Sequence, residues 1–407
     1  PGASYAADVK SVIRIRTKPP KGDGFSGILR SDNGFQHYFR TGNSLDLKYR
    51  TSGLEIFANY GWWRGNTRFD RLNDMNTTTS KGTYRQFVST IGKESYNDMT
   101  GKLGFSYMIN DRHSIGAYYQ NSWNRHNTDG TIPSEIWQDG ILLDLYNSDV
   151  HNQSTAVPRH YANIYYNGIV GKLNIDFNAD YIWYKSRELT FNNELSEMGN
   201  DREVNTSSIN RNRMFAEKLV MTYPLWKGQI EIGEEYTNTR TTNLFSANIL
   251  ETPNADNRVD ENNIAVFAEL GQQFGRFMIG AGLRYEHVKF NYYEMGLLRD
   301  GQSKTYNNIF PSLNIATQVG KVRMGLNYTG KTIRPGYDQL DGAISYINRL
   351  TYETGNPYLK PTKLQTVEYM AQWRRFFAQL SYTYFKDGVY HITEPYGPEG
   401  EATIIRT

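Results

Sequence analysis

The sequence predicts an all-β protein that crosses a membrane as an antiparallel up-and-down β-barrel, and three observations lead to this class. Apolar and polar residues alternate along several long segments, aromatic residues make up 14% of the chain, and tight turns recur between paired segments. Alternation gives a strand one face for lipid and one for a wet interior. In segment 276–292, Phe277, Ile279, Ala281, Leu283 and Tyr285 alternate with Met278, Gly280, Gly282, Arg284 and Glu286.

Composition excludes several other classes. No segment approaches the roughly 18 consecutive apolar residues of a spanning helix, and the mean hydropathy is −0.65. The 45 basic and 42 acidic residues leave a net charge of +3, which is too balanced to indicate a nucleic-acid partner. The chain contains no Cys, so disulfides and Cys-based metal sites are excluded.

The predicted strands come in pairs, with a tight turn inside each pair and a long loop between pairs. We expect the tight turns near residues 52, 111, 171, 227, 275, 320 and 375, because Gly, Asn, Asp or adjacent basic residues interrupt the alternation there. Polar segments at about 65–96 and 121–156 are predicted as long loops. Short turns at one end and long loops at the other are typical of outer-membrane barrels.

The alternation predicts about fifteen strands between residues 25 and 391, and a sixteenth at 402–407. Many of these segments reach the roughly ten residues that a tilted strand needs to cross a bilayer. A soluble β-sandwich or β-helix would also alternate. Its strands would be shorter, and long loops at only one end would have no explanation.

The segment 173–184 has the most regular pattern in the chain. Its apolar positions alternate with Asn174, Asp176, Asn178 and Asp180. Such residues would be costly in a dry core but cost little in a water-filled lumen. Asp176 and Asp180 are therefore candidates for contact with a substrate or an internal domain, and the alternative is that they only solvate the wall.

With these residues in view, the chain resembles the β-barrel of TonB-dependent outer-membrane transporters, and most closely the barrel family common in Bacteroidetes. The resemblance covers about residues 276–375. Its motifs are AGLRYE at Ala281–Glu286, FPSLN at Phe310–Asn314, Ile333, Arg334 and Pro335 followed by Leu340, GNPYLKP at Gly355–Pro361, and Glu368. Each motif alone is weak, and the ordered set carries the resemblance.

The resemblance implies two domains. Residues 1–20 are assigned to the end of a plug domain: the first eighteen, which end in VIRIRTK, resemble it, although Lys10-Ser11 stand where the family usually has two glycines. Residues 21–407 resemble the barrel. The family's barrel has 22 strands, so we expect about 16 of them here, with most of the plug before Pro1 and the last strands missing.

Several residues are candidates for contact with substrate or plug. Arg284 and Glu286 lie two positions apart on the polar face, where a lumenal ion pair is the plainer interpretation. Trp123 and Trp137 are predicted in or near a loop, where a binding role is more plausible than on a membrane rim. The resemblance gives a structural role to the motif residues Arg334, Pro335, Asn356, Pro357, Pro361 and Glu368.

Catalytic chemistry is not expected. The seven His residues are scattered without metal-ligand spacing, and no nucleophile-elbow or phosphate-loop motif occurs. Glu234 and Glu235 are adjacent, so they face opposite sides of a strand and cannot act as a carboxylate pair. We therefore predict no catalytic residue, no metal and no cofactor.

The resemblance implies a receptor in the cell outer membrane that imports a scarce or bulky nutrient, such as a siderophore, cobalamin, glycan or peptide, through a plugged barrel. The implied partners are membrane lipid and, through the missing N-terminal part, the TonB–ExbB–ExbD complex. A surface lipoprotein partner stays open. The alternative is a transporter-derived barrel that serves as a subunit of an outer-membrane protein complex. A passive porin is disfavoured by the plug-like VIRIRTK ending.

Overall fold

The computed structural model describes Ala3 and residues 22–79, 81–397 and 402–407, so the predicted plug tail lies outside the described residues apart from Ala3. The described residues form twenty strands. They are β1 (Gly24–Phe35), β2 (Phe39–Thr51), β3 (Leu54–Thr79), β4 (Gly82–Asn110), β5 (His113–Gln138), β6 (Ile141–Val170), β7 (Leu173–Ser196), β8 (Arg202–Leu225), β9 (Gly228–Ala247), β10 (Ala255–Phe274), β11 (Phe277–Glu294), β12 (Leu297–Leu298), β13 (Lys304–Val319), β14 (Val322–Ile333), β15 (Ile344–Asn348), β16 (Thr351–Thr354), β17 (Thr362–Trp373), β18 (Phe376–Lys386), β19 (Ile392–Tyr396) and β20 (Ala402–Arg406). In this part of the chain no helix is long and apolar enough to span a membrane.

Sixteen strands form one antiparallel sheet in which each strand pairs with its neighbour in sequence. The order runs from β1 to β11 and then β13, β14, β17 and β18, with β12 paired to β11. This is the up-and-down order that the sequence predicts. The remaining strands form a small sheet in the order β15-β16-β20-β19.

Residues 402–407 are an exception to the predicted topology. The sequence predicts a sixteenth barrel strand there, but β20 pairs in parallel with β16 and antiparallel with β19 in the small sheet. Alternation shows that a segment is a strand, but it does not show which strand it will pair with. The prediction of the partner was therefore wrong.

The seven predicted tight turns are confirmed, and backbone geometry explains several of them. Ser52 and Gly53 have φ values of 44° and 83°, so both central residues of this hairpin are in the left-handed region. Turns of this type match the right-handed twist of the paired strands. Gly171, Gly275 and Gly320 also have positive φ, which a residue without a Cβ adopts at little cost.

The long loops predicted at 65–96 and 121–156 are wrong. β3 and β4 pair continuously from Leu54↔Tyr107 to Thr79↔Gly82, and β5 and β6 are joined only by Asp139 and Gly140. These segments are mostly polar, and their apolar residues, such as Leu72, Ile91 and Ile141, do not form the long regular alternation that identifies a strand. Each still satisfies its backbone hydrogen bonds because its neighbour is equally long.

The sheet has an apolar outer face and a polar inner face. On β11, Leu283 and Tyr285 are 53% and 39% exposed, whereas Arg284 and Glu286 are 1% and 0% exposed. Exposed apolar side chains, such as Ile56, Leu103 and Ile169, recur within about eleven residues of the tight turns. That length is enough for a tilted strand to cross a bilayer, so the rest of each long strand extends beyond it.

One apolar cluster attaches the connection between β14 and β17 to the inner face, and a second lies within the small sheet. In the first, Leu340 packs against Val259, Phe290 and Tyr292, with Tyr337 and Leu359 at its border. The second consists of Tyr352, Ala402 and Ile404 within the small sheet. Both clusters lie toward the end of the sheet opposite the tight turns, which we call the far end.

Candidate functional site

Six charged side chains form a network on the inner face, which we call the inner charge network. It contains three cations and three carboxylates: Lys218, Arg284 and Arg334 with Glu235, Glu261 and Glu286. Glu286 is its centre, because its carboxylate oxygens lie 2.6 Å from Arg284 Nε and 2.5 Å from Arg334 Nη2. The structure therefore pairs Arg284 with Glu286, as the plainer interpretation of the sequence expects.

The outer members of the network are more loosely paired. Arg284 Nη2 lies 3.3 Å from Glu235, which also lies 3.8 Å from Lys218 Nζ. Arg334 Nη1 lies 3.9 Å from Glu261. Since β8, β9, β10 and β11 are neighbours in the sheet, the network joins four strands to the connection after β14. Through Glu261 and Glu286, the salt bridges of Arg334 join that connection to the wall.

Asp176 and Asp180 lie on β7 and belong to local hydrogen-bond sets. Asp180 accepts hydrogen bonds from Tyr161 Oη at 2.7 Å and from Asn163 Nδ2 at 2.6 Å. Asp176 accepts one from Asn178 Nδ2 at 3.0 Å. Neither residue lines the largest cavity. Their contact with a substrate or plug stays a prediction.

Trp123 and Trp137 both lie on strand β5. Trp137 is two residues from the Asp139-Gly140 turn, as its predicted position near a loop expects, whereas Trp123 lies in the middle of the strand and its predicted position is wrong. Their binding role stays a prediction. Trp123 has the same parity as the outward residues Ile115 and Tyr119, and it pairs with Met99, which in turn pairs with Trp62. That row of aromatic side chains fits an interfacial belt. Trp137 Nε1 donates to Glu135 Oε2 at 3.0 Å, and neither Trp lines a cavity described below.

The family-motif residues lie mainly in the connection that crosses the inner face. Arg334, Pro335 and Pro361 line a small cavity of about 40 Å³. Asn356 Oδ1 accepts a hydrogen bond from the Tyr358 backbone at 2.9 Å, and Pro357 lies against Gly342. These contacts fix the path of the connection, which agrees with a structural role.

Glu368 lines a second inner cavity of about 590 Å³, which is formed by β10, β11, β13, β14 and β17. Glu368 accepts a hydrogen bond from Gln379 Nε2 at 2.8 Å. Glu269 lines the same cavity and accepts a hydrogen bond from the Ala3 backbone N–H at 2.8 Å. Ala3 is 4% exposed and contacts the wall where Gly282 leaves room for it.

The largest cavity has a volume of about 1000 Å³ and lies at the far end. Strands β6 to β11 form its wall, and the β14–β17 connection and the small sheet cover it. Hydroxyl, amide and tyrosine side chains provide most of its lining. Its charged lining residues are Glu188, Asp338, Asp341 and Glu353, with His391 beside them.

Asp341 is the most extensively hydrogen-bonded carboxylate described in this cavity. It accepts hydrogen bonds from the side chains of Asn243 and Asn257 and from the Ala343 backbone. Burial and the nearby Asp341 carboxylate raise the pKa of Tyr292 to about 12, so its hydroxyl stays protonated at physiological pH. The Tyr292 hydroxyl is already hydrogen bonded to the Gly342 backbone.

An ion cluster that sequence reasoning missed fixes the small sheet. Arg349 donates to Glu194 at 2.7 Å and lies 3.4 Å from Asp144, while Tyr346 Oη donates to the other oxygen of Glu194 at 2.5 Å. Burial and the Glu194 carboxylate raise the pKa of Tyr346. Glu194 shares the parity of Asp176 and Asp180, so extending the predicted strand would have placed it on the inner face.

Within the described ranges, no three His, Asp, Glu or Cys side chains are arranged to hold a metal ion.

Comparison with known proteins gives one family and several similar folds. The profile of the outer membrane protein beta-barrel family matches residues 170–407. No curated protein matches the chain. A mutant of the ferric enterobactin receptor PfeA from Pseudomonas aeruginosa aligns with 15% identity and a TM-score of 0.56, covering 95% of this chain and 57% of that one. The alcaligin outer-membrane receptor FauA from Bordetella pertussis aligns with 9% identity and a TM-score of 0.48, covering 93% and 54%.

The chain thus spans little more than half the length of these receptors. At this identity the likeness to PfeA shows a shared fold. The sixteen-stranded sheet thus has the fold of part of the barrel wall of an outer-membrane receptor.

Proposed function

Because this chain belongs to the outer membrane β-barrel protein family, we propose that it forms part of a TonB-dependent receptor that imports a nutrient. The protein is located in the outer membrane, where its apolar face contacts lipid. The motifs from AGLRYE to GNPYLKP and the receptor-like fold support the proposal. The observation that carries it is the polar cavity of about 1000 Å³ on the inner face, at the end away from the tight turns.

The position of this cavity fits a receptor. In outer-membrane barrels, the tight turns face the periplasm and the long segments face outward. The cavity therefore faces the cell exterior, where a nutrient would first bind. The inner charge network and the Ala3 contact with Glu269 lie deeper on the same face, where a plug would sit.

The test compares the compounds that cells remove from a complex medium. Wild-type cells, cells lacking this gene and cells lacking tonB are grown in parallel, and the spent media are analysed by mass spectrometry. We expect at least one compound that only wild-type cells deplete, and a plasmid copy of the full-length gene should restore its depletion in the first mutant.

Two outcomes would contradict the proposal. If all three strains deplete the same compounds, the protein does not limit nutrient import. If depletion needs this gene but not tonB, import is not energised through TonB. Unchanged uptake together with a stable co-purifying protein complex would instead favour the alternative role as an assembly subunit.

A further inference from the structure

The cavity at the far end has a lining that distinguishes among classes of nutrient. In the described part of the chain, neither Lys nor Arg lines it, whereas Glu188, Asp338, Asp341 and Glu353 do. The structural neighbour PfeA is a receptor for ferric enterobactin. A polyanionic ligand of that kind would face these carboxylates, and no cation in the lining would offset their charge. Like charges in a partly desolvated site repel strongly, so such a ligand should bind poorly here.

Most of the remaining lining is neutral and able to hydrogen bond. Thr190, Thr206 and Ser208 contribute hydroxyls from β7 and β8, and Asn243 and Asn257 contribute amides from β9 and β10. Asn257 is 5% exposed; its Nδ2 donates to Asp341 at 2.6 Å, while its Oδ1 has no hydrogen-bond partner in the described chain. Together with the carboxylates, these groups favour a ligand that is rich in donors.

Tyrosine rings complete the lining. Tyr184, Tyr292, Tyr337 and Tyr346 all border the cavity. Tyr292 is only 2% exposed and packs in the first apolar cluster, so the partly exposed rings of Tyr184, Tyr337 and Tyr346 are the ones that offer a ligand an apolar face and a polar edge. The Arg159 guanidinium lies over the Tyr184 ring at 4.9 Å. A volume of about 1000 Å³ is large enough for several sugar rings.

From this lining we propose that the cavity binds an uncharged, hydroxyl-rich oligosaccharide, which would be the imported nutrient class if the proposed function holds. A cationic peptide is the main competitor. Asp341 and Glu188 keep their negative charge although they accept hydrogen bonds from neutral amides. The oligosaccharide is favoured over the peptide because neutral hydroxyl and amide side chains outnumber the carboxylates in the lining. An oligosaccharide needs hydrogen-bond acceptors and no net charge.

The experiment measures binding by isothermal titration calorimetry with the full-length protein purified in detergent. The probes are linear hexasaccharides of glucose, mannose, xylose and N-acetylglucosamine, with ferric enterobactin as the polyanion and trilysine as the cationic peptide. We expect saturable binding of at least one hexasaccharide and no binding of the two charged probes.

Two substitutions on strand β7 test whether the ligand binds in the cavity. Tyr184 lines the cavity, whereas Tyr181 on the same strand is 45% exposed on the outer face. Tyr184→Ala should weaken hexasaccharide binding roughly tenfold, and Tyr181→Ala should leave it within about twofold. Thr190→Val keeps the side-chain volume and removes one lining hydroxyl, so it provides a second test if Tyr184→Ala fails to fold.

The outcomes separate this proposal from the proposed function. If none of the four hexasaccharides binds, the oligosaccharide proposal is overturned. It is also overturned if trilysine or ferric enterobactin binds and Tyr184→Ala weakens that binding. Equal weakening by Tyr184→Ala and Tyr181→Ala would place the sugar elsewhere and also overturn it. Because calorimetry does not involve TonB, binding together with TonB-independent uptake would contradict only the proposed function.

Discussion

Glu286→Gln tests whether the inner charge network stabilises the wall. Glu286 is 0% exposed and contacts Arg284 and Arg334, and the six charges of the network balance as three positive and three negative. The substitution keeps the size of the side chain but leaves one excess positive charge. Arg284, which is 1% exposed, then loses its closest counter-ion.

Breaking a buried ion pair from one side costs about 3 to 5 kcal/mol, because the other charge stays buried without compensation. We expect the low end, about 3 kcal/mol, since Glu235 remains 3.3 Å from Arg284 and Glu261 remains 3.9 Å from Arg334. The assay is unfolding of the full-length protein in urea in the presence of lipid vesicles, followed by tryptophan fluorescence.

Glu294→Gln is the matched control on the same strand. Glu294 pairs with Arg299 at 2.8 Å, but both side chains are more than 40% exposed. Removal of an exposed pair should cost less than about 1 kcal/mol. If Glu286→Gln costs no more than Glu294→Gln, water in the lumen screens the network, and the reasoning from burial is refuted.

Three further predictions concern other parts of the molecule. Burial lowers the pKa of His126, but hydrogen bonds with two carboxylates outweigh burial, so the pKa is raised overall. The stabilisation of the folded protein by the charged His126 should therefore be complete below about pH 6.5 and be lost as the pH rises through the raised pKa. The difference in urea midpoint between wild type and His126→Gln should therefore shrink from pH 6 to pH 9, and a constant difference would contradict this. Leu283→Arg on the lipid face should lower vesicle-folded stability by about 2 to 4 kcal/mol, whereas the same change at the non-membrane residue Leu250 should have little effect; equal effects would argue against lipid contact. Arg349→Gln should speed hydrogen exchange in β15 and β16 while β11 stays protected, and unchanged exchange would mean that the pairing with Glu194 does not hold the small sheet.

Alternation predicted the wall because period two is a local property of the chain. It placed Arg284 and Glu286 on one face, and the structure confirms that placement. It could not predict Arg334 as their partner, because Arg334 follows the end of β14 and its position depends on the path of a connection rather than on strand geometry.

The far end was predicted less well for a different reason. Strand signals depend on contrast between an apolar and a polar face, and beyond the bilayer both faces are mostly polar. The segments 65–96 and 121–156 therefore resemble loops in sequence, although their backbones pair along β3 to β6. The pairing of Glu194 with Arg349 spans two sheets, so no local pattern could indicate it.

The continuation of strand pairing beyond the bilayer affects how the cavity can recognise a ligand. Loops usually carry binding residues, and their ordering on ligand binding costs free energy. Here Tyr184, Thr190 and Ser208 lie on strands whose hydrogen bonds continue beyond the bilayer, so the cavity wall is ordered before a ligand arrives. Apolar side chains are mostly on the lipid face, so selectivity must come from hydrogen bonds and charge on the inner face. A preorganised wall of hydroxyls, amides and carboxylates can distinguish neutral sugars from anionic chelates, because a bound ligand displaces water from the cavity and a charge or donor that it leaves unpaired is then costly.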